Sequence, residues 1–173
     1  HAFVHSSKGS ALHGLNRLTE ALASYDQAIA LKPDFAEVLL NRGVVLNDLR
    51  QHELALDSYQ RAIAINPNIS EAHSNLGVLL QELGHHEQAV ESYDRAIKLK
   101  PDLVEAHWNK ALTLLLLGDF ENGWPLYEYR WSRSVPSSPL RGFRQPLWLG
   151  KDSLEGKTIL LYGEQGLGDS LQF

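Results

Sequence analysis

Apolar residues along most of this chain follow the period of a helix. Residues 71–80 carry apolar side chains at helical spacing, residues 84–86 interrupt the pattern, and residues 87–99 resume it. One face of the second segment carries a small, a large and a small side chain, from Ala89, Tyr93 and Ala96. The pattern predicts two helices that pack closely around one aromatic ring and are joined by a short turn.

This helix pair recurs with a period of 34 residues. Pro33, Pro67 and Pro101 share that spacing. Four further columns do the same: Gly9, Gly43, Gly77; Ala21, Ala55, Ala89; Tyr25, Tyr59, Tyr93; and Ala28, Ala62, Ala96. The units are residues 2–35, 36–69 and 70–103, with a degenerate fourth from residue 104. Because one hairpin cannot bury its apolar face alone, we expect an all-α superhelix of stacked helical hairpins over residues 2–120.

The repeat columns resemble the tetratricopeptide repeat (TPR). Each unit has a small residue at repeat position 8, Ala at 20, an aromatic at 24, Ala at 27 and Pro at 32. Position 4 departs from the usual aromatic and holds His5, Leu39, His73 and His107. The resemblance implies that the first helix of each hairpin lines a concave groove, which takes a protein or peptide ligand.

Composition narrows the class of partner. The 173 residues are 43% hydrophobic and 21% charged, typical of a soluble globular protein, and the net charge of −5 argues against nucleic acid. No apolar run is long enough to span a membrane, and no signal peptide opens the chain, so we expect a cytoplasmic protein. The sequence has no Cys, its eight His show no metal-ligand spacing, and we expect neither metal nor cofactor. It also has no Met, even at position 1, as a fragment would.

Position 6 of the repeat forms a ladder of side-chain amides on the expected groove: Asn41, Asn75 and Asn109. Amides donate to and accept from an extended peptide backbone, and the column resembles the asparagine ladder of O-linked N-acetylglucosamine transferases. The alternative is that Asn is simply common at this position. The other groove residues are expected to be acidic and apolar: Glu37, Glu71, Glu105, Asp48, Glu82, Leu40, Val44, Val78, Trp108 and Leu112. Without Lys or Arg in these columns, a basic or neutral segment fits better than an acidic tail.

Residues 121–156 read as a capping helix followed by an irregular linker. Gly123 and Pro125 break the repeat pattern, and the segment is rich in Arg and Trp. We expect Arg stems over Trp131 and Trp148 to cover the end of the stack, and an anion-binding surface is the alternative.

Residues 157–173 change character, with an apolar strand at 157–162 and a glycine loop at 163–169. Together with residues 123–131 and 145–150, this order resembles bacterial TPR proteins fused to a GT-B glycosyltransferase-like domain related to heptosyltransferases. The resemblance implies that Asp169 acts as a general base in a loop shaped by Gly166 and Gly168, whereas Asp169 as a helix cap is the alternative. Only one strand of that domain is present, so we expect the chain to be catalytically inert.

Two functions follow from the sequence. The first is a protein-interaction scaffold that binds an extended partner segment in the TPR groove. The alternative is the substrate-recruiting, N-terminal part of a TPR-containing glycosyltransferase, inactive as this fragment. In either case the unpaired edge of the strand predicts homodimerisation through the C-terminal segment.

Overall fold

The computed structural model describes residues 1–132 together with Ser153, Glu155 and Gly156. This part of the chain contains eight α-helices and no strand: α1 (Ala2–Gly14), α2 (Leu18–Leu31), α3 (Ala36–Asp48), α4 (His52–Ile65), α5 (Ser70–Glu82), α6 (His86–Leu99), α7 (Val104–Leu116) and α8 (Phe120–Tyr127). A 3₁₀-helix, Glu128–Ser132, follows α8. The expected superhelix of helical hairpins is therefore confirmed. The strand predicted at residues 157–162 lies outside the described residues.

The turn inside each hairpin uses a left-handed residue at repeat position 15. Asn16, Arg50, Gly84 and Gly118 have φ between 57° and 81°. Glycine adopts this region without strain, whereas Arg50 adopts it at a steric cost. In each turn the next amide bonds back to a carbonyl near the end of the first helix, as from Gln51 N–H to Leu46 at 2.9 Å. These bonds satisfy carbonyls that the helix end would leave free, so the turn is a helix C-cap.

The two helices of a hairpin meet at a tyrosine and a glycine. Tyr25, Tyr59 and Tyr93 are at most 2% exposed, and the Ala columns beside them are fully buried. Each ring lies against the glycine at position 8, where a Cβ would come within 2.6 Å of ring carbon Cε1. The glycine column therefore lets the helices approach until the ring fills the space between them.

Successive hairpins stack through their neighbours alone. In the described part of the chain, the first helices α1, α3, α5 and α7 contact one another in succession, whereas the second helices do not. The first helices therefore line the inner side of the superhelix. An ion pair crosses each of the three junctions: Arg42 Nε to Asp26 at 2.7 Å, Arg50 to Glu82 at 3.5 Å, and Lys110 Nζ to Asp94 at 2.5 Å.

The fourth hairpin departs from the other three. Pro125 lies inside the short helix α8, and the 3₁₀-helix that follows contacts α7. The guanidinium of Arg130 is buried between the rings of Tyr127 and Trp131, and it donates to the Tyr127 carbonyl at 3.2 Å. The aromatic segment thus packs on the last repeat. An Arg side chain covers Trp131 as expected, whereas Trp148 lies outside the described residues. No described helix combines the length and apolarity needed to cross a bilayer.

Candidate functional site

The three asparagines at position 6 lie on α3, α5 and α7, the helices that line the inner side. Asn41, Asn75 and Asn109 are all half-buried. Their side chains form no hydrogen bond to any other residue in the described part of the chain. Each amide therefore keeps a donor and an acceptor available for a ligand.

A small cavity opens between α3 and α5 on this inner side. Its volume is about 90 Å³, and six residues line it: Val44, Asn47, Asp48, Tyr59, Asn75 and Val78. Four of them, Val44, Asp48, Asn75 and Val78, are groove residues that the sequence singled out. The structure therefore brings part of the predicted set together, on an apolar wall with one free amide.

Two further lining residues, Asn47 and Tyr59, were not among the predicted site residues. Tyr59 is 2% exposed, and burial raises the pKa of its hydroxyl well above the ordinary value, with the carboxylates of Asp48 and Glu82 adding to the rise. The hydroxyl therefore stays protonated and acts as a donor. The sequence offered one indication for Asn47. It occupies repeat position 12, the position that Gln81 occupies in the next repeat.

The carboxylates nearest this cavity are partly paired. Asp48 Oδ2 lies 3.0 Å from His13 Nε2, and Glu82 Oε2 lies 3.5 Å from Arg50. Both acids keep a substantial exposed fraction, so their charge reaches the groove solvent. They make the surroundings of the cavity negative.

The glutamates at position 2 stand in the first turns of α3, α5 and α7. There a carboxylate is stabilised by the positive end of the helix dipole. The pKa of Glu71 is lowered by its own backbone N–H and by the Ser70 hydroxyl, and Lys100 pairs with it at 3.2 Å. Glu37 and Glu105 are likewise exposed. The carboxylate of Glu71 thus stabilises the N-terminus of α5 and also adds negative charge to the groove.

Leu40 and Trp108 are not among the residues that line the cavity. Leu40 packs against the buried cluster of the second and third hairpins. Trp108 is 9% exposed and packs on the ring of Tyr127 at a centroid distance of 4.9 Å. Its contact lies in the aromatic end of the array.

Two of the histidines at position 4, His73 and His107, bond to the preceding turn. Nε2 of His73 lies 3.0 Å from the carbonyl of Pro67, and Nε2 of His107 lies 2.8 Å from the carbonyl of Pro101. A carbonyl only accepts, so Nε2 is the donor in both. Within the described ranges, no cluster of His and acidic residues could hold a metal ion. The predicted residues Asp169, Gly166 and Gly168 lie outside those ranges, as does the segment expected to pair in a homodimer.

Three family models match the chain, and all describe the same repeat. One, "TPR repeat", covers residues 9–49, and two described as "Tetratricopeptide repeat" cover residues 34–102 and 74–139. Together they span the array and the aromatic segment after it. No curated protein matches the chain as a relative.

Solved structures with the same fold include "Crystal structure of MamA". It is 22% identical, with a TM-score of 0.70 over 75% of each chain. "MamA 41-end from Desulfovibrio magneticus RS-1" is 22% identical, with a TM-score of 0.68 over 78% of each chain. "First TPR of Spaghetti (RPAP3) bound to HSP90 peptide SRMEEVD" is 24% identical, with a TM-score of 0.66 over 68% of this chain and 93% of that one. These likenesses concern the fold.

Proposed function

Because the chain is a tetratricopeptide repeat protein, we propose that it is an interaction scaffold whose inner groove binds an extended, neutral or basic segment of a protein partner. The observation that carries the proposal is the amide column on α3, α5 and α7. Asn41, Asn75 and Asn109 are half-buried and bond to no other described residue. An extended backbone offers alternating carbonyl and N–H groups, which suit side chains able both to accept and to donate.

Charge decides the class of peptide. Asp48 and Glu82 stand beside the cavity, and both carboxylates help to raise the pKa of Tyr59. The RPAP3 domain of similar fold is bound to the peptide SRMEEVD, which carries more acidic than basic residues. A groove with these two acids would repel such a peptide and attract a basic one. We therefore expect tight binding of a basic peptide at low salt and weaker binding at high salt.

The test uses a blocked synthetic peptide of alternating Lys and Thr, with the matching peptide of Glu and Thr as its counterpart. We expect calorimetry to detect binding of the first peptide and not of the second. Replacing Asn41, Asn75 and Asn109 together by Ala should weaken binding at least about tenfold, since each hydrogen bond contributes roughly 1 kcal/mol.

The matched control replaces three exposed amides on the second helices, Gln27, Gln60 and Gln88, by Ala. These residues lie on α2, α4 and α6, away from the inner side, and the change should leave the affinity unaltered. Equal affinity of the Asn triple variant and the unmodified protein would contradict the proposed role of the ladder.

A second function rests on the sequence resemblance of residues 123–173 to the glycosyltransferase-like domain. In it the array would recruit an acceptor for sugar transfer, with Asp169 as the base of an intact enzyme. We expect this chain to transfer nothing from nucleotide sugars such as UDP-N-acetylglucosamine or ADP-heptose, and transfer above background would show that it is an enzyme.

Sedimentation of a variant ending at Arg133, compared with the full chain, tests the proposed homodimer.

A further inference from the structure

The three core tyrosines occupy the same repeat position but do not have the same partners. The hydroxyl of Tyr25 lies 3.2 Å from Ser10 Oγ, and that of Tyr93 donates to Gln81 Oε1 at 3.0 Å. The Tyr59 hydroxyl forms no hydrogen bond to any residue in the described part of the chain. Tyr59 is nevertheless 98% buried, since only 2% of it is exposed.

The sequence explains why Tyr59 lacks a partner. The residue that corresponds to Ser10 in the second repeat is Val44, which has no polar group. The residue that corresponds to Gln81 is Asn47, which is shorter by one methylene, and its Oδ1 lies 3.0 Å from His52 Nδ1. Both partners used by the other tyrosines are thus missing.

Tyr59 lines the cavity between α3 and α5, and its unpartnered hydroxyl is not fully buried. Asn75 lines the same cavity, with its side-chain amide free of other described residues, and Val44 and Val78 supply apolar surface. The hydroxyl is not among the fully buried polar atoms, so a ligand carbonyl that accepts its hydrogen bond takes the place of solvent there. The volume of about 90 Å³ equals that of roughly three water molecules in the liquid, on the scale of a peptide group.

We propose that the Tyr59 hydroxyl donates a hydrogen bond to a main-chain carbonyl of the bound peptide, and that Asn75 contacts the adjoining amide. This inference rests on the proposed function and deepens it, because it fixes one point at which the peptide backbone is held. The residue of the peptide at this point is neutral or basic, because Asp48 and Glu82 stand beside the cavity. The second repeat thereby becomes the anchoring repeat of the groove.

The test compares Tyr59→Phe with Tyr93→Phe. Each change removes one oxygen and keeps the ring that packs against the position-8 glycine. With the Lys-Thr peptide as the probe, we expect Tyr59→Phe to weaken binding about 3- to 10-fold, whereas Tyr93→Phe should leave the affinity unchanged. Equal affinity of Tyr59→Phe and the unmodified protein would overturn the inference while leaving the proposed function intact.

Urea unfolding without peptide supplies an independent readout. Tyr59→Phe should unfold at the same urea concentration as the unmodified protein or at a higher one, because no hydrogen bond within the protein is lost. Tyr93→Phe should unfold at a lower concentration, because it loses its bond to Gln81. A clear loss of stability in Tyr59→Phe would overturn the inference. If the unmodified protein binds no peptide, the proposed function fails, and the inference fails with it even where the unfolding result holds.

Discussion

Gly43 lies so close to the ring of Tyr59 that a methyl group at its Cα would stand 2.5 Å from Cε1 and 2.6 Å from Cδ1. The ring is buried between α3 and α4. Gly9 and Tyr25, and Gly77 and Tyr93, stand in the same relationship. The small and the large residue are therefore one packing unit, repeated three times.

We expect Gly43→Ala to destabilise the protein by about 1–2 kcal/mol. Overpacking a core costs roughly 1–3 kcal/mol, and the better helix propensity of Ala returns up to about 1 kcal/mol. Urea unfolding followed by circular dichroism measures the change. Gly14→Ala is the control, since no atom lies within 4 Å of a Cβ there, and it should be neutral or stabilising. Equal stability of Gly43→Ala and the unmodified protein would show that the ring can shift.

We expect Arg50→Gly to stabilise the array by about 0.5 kcal/mol. Arg50 has φ of 59°, in the left-handed region that costs an L-residue roughly 1–2 kcal/mol, and part of the gain is lost to the flexibility of glycine in the unfolded chain. Its ion pair with Glu82, at 3.5 Å and largely exposed, contributes little. Thermal unfolding checks the gain. The reciprocal change Gly84→Arg should lower stability, and an increase there would refute the argument from backbone strain.

We expect Glu71→Gln to lower stability at neutral pH by about 0.5 kcal/mol, a small figure because the carboxylate is half exposed. The pKa of Glu71 is lowered in the folded state, so its stabilisation is present above the unfolded pKa of roughly 4.3 and is lost as the pH falls through the folded pKa. Unfolding midpoints of the variant and the unmodified protein should therefore converge in acid.

Glu37→Gln is the matched control for that experiment. Glu37 holds the same position of the second repeat, but Ala36 stands in place of Ser70 and Asn66 in place of Lys100. The control should show a smaller pH-dependent difference than Glu71→Gln. A difference of the same size in both variants would attribute the effect to the helix dipole alone.

We expect His107→Phe to lower stability by about 0.5–1 kcal/mol. In the unmodified protein the rings of His107 and Tyr129 are stacked, with their centroids 4.0 Å apart. The change keeps a ring at this position but removes the donor to the Pro101 carbonyl. Hydrogen exchange of the amides in α7 and α8 should rise more than that in α3. His85→Ala is the control, because His85 is exposed and makes no side-chain cap, so it should have no effect. Unchanged exchange in His107→Phe would mean that the bond contributes nothing.

The repeat columns predicted the fold well because a helix period and a 34-residue period are both visible in single residues. The second helix of the third hairpin was expected at residues 87–99 and is observed at His86–Leu99. The degenerate fourth unit was expected from residue 104, and its first helix is observed at Val104–Leu116. Proline after each hairpin and the break at Gly84 set these ends locally, so no distant contact was needed to place them.

The candidate site was less accessible to sequence reasoning, because equal columns hide unequal contacts. Tyr25, Tyr59 and Tyr93 look alike in the sequence, and only the distances reveal that one hydroxyl is free. Trp108 shares a column with Leu40 but packs on Tyr127, since the last hairpin is rebuilt around aromatic rings. Gln81 bonds to the hydroxyl of Tyr93, whereas the shorter Asn47 forms no bond to the hydroxyl of Tyr59. The sequence shows the difference in length but not this consequence.

Within the described residues, each hairpin contacts only the hairpin before it and the one after it. No contact therefore joins hairpins that are not neighbours in this part of the chain, and the pitch of the superhelix is the sum of the geometries of its junctions. Pulling its ends apart would widen the spacing between Asn41, Asn75 and Asn109. A peptide that bonds to all three amides would resist that extension, so the stiffness of the molecule under tension should report whether the groove is filled.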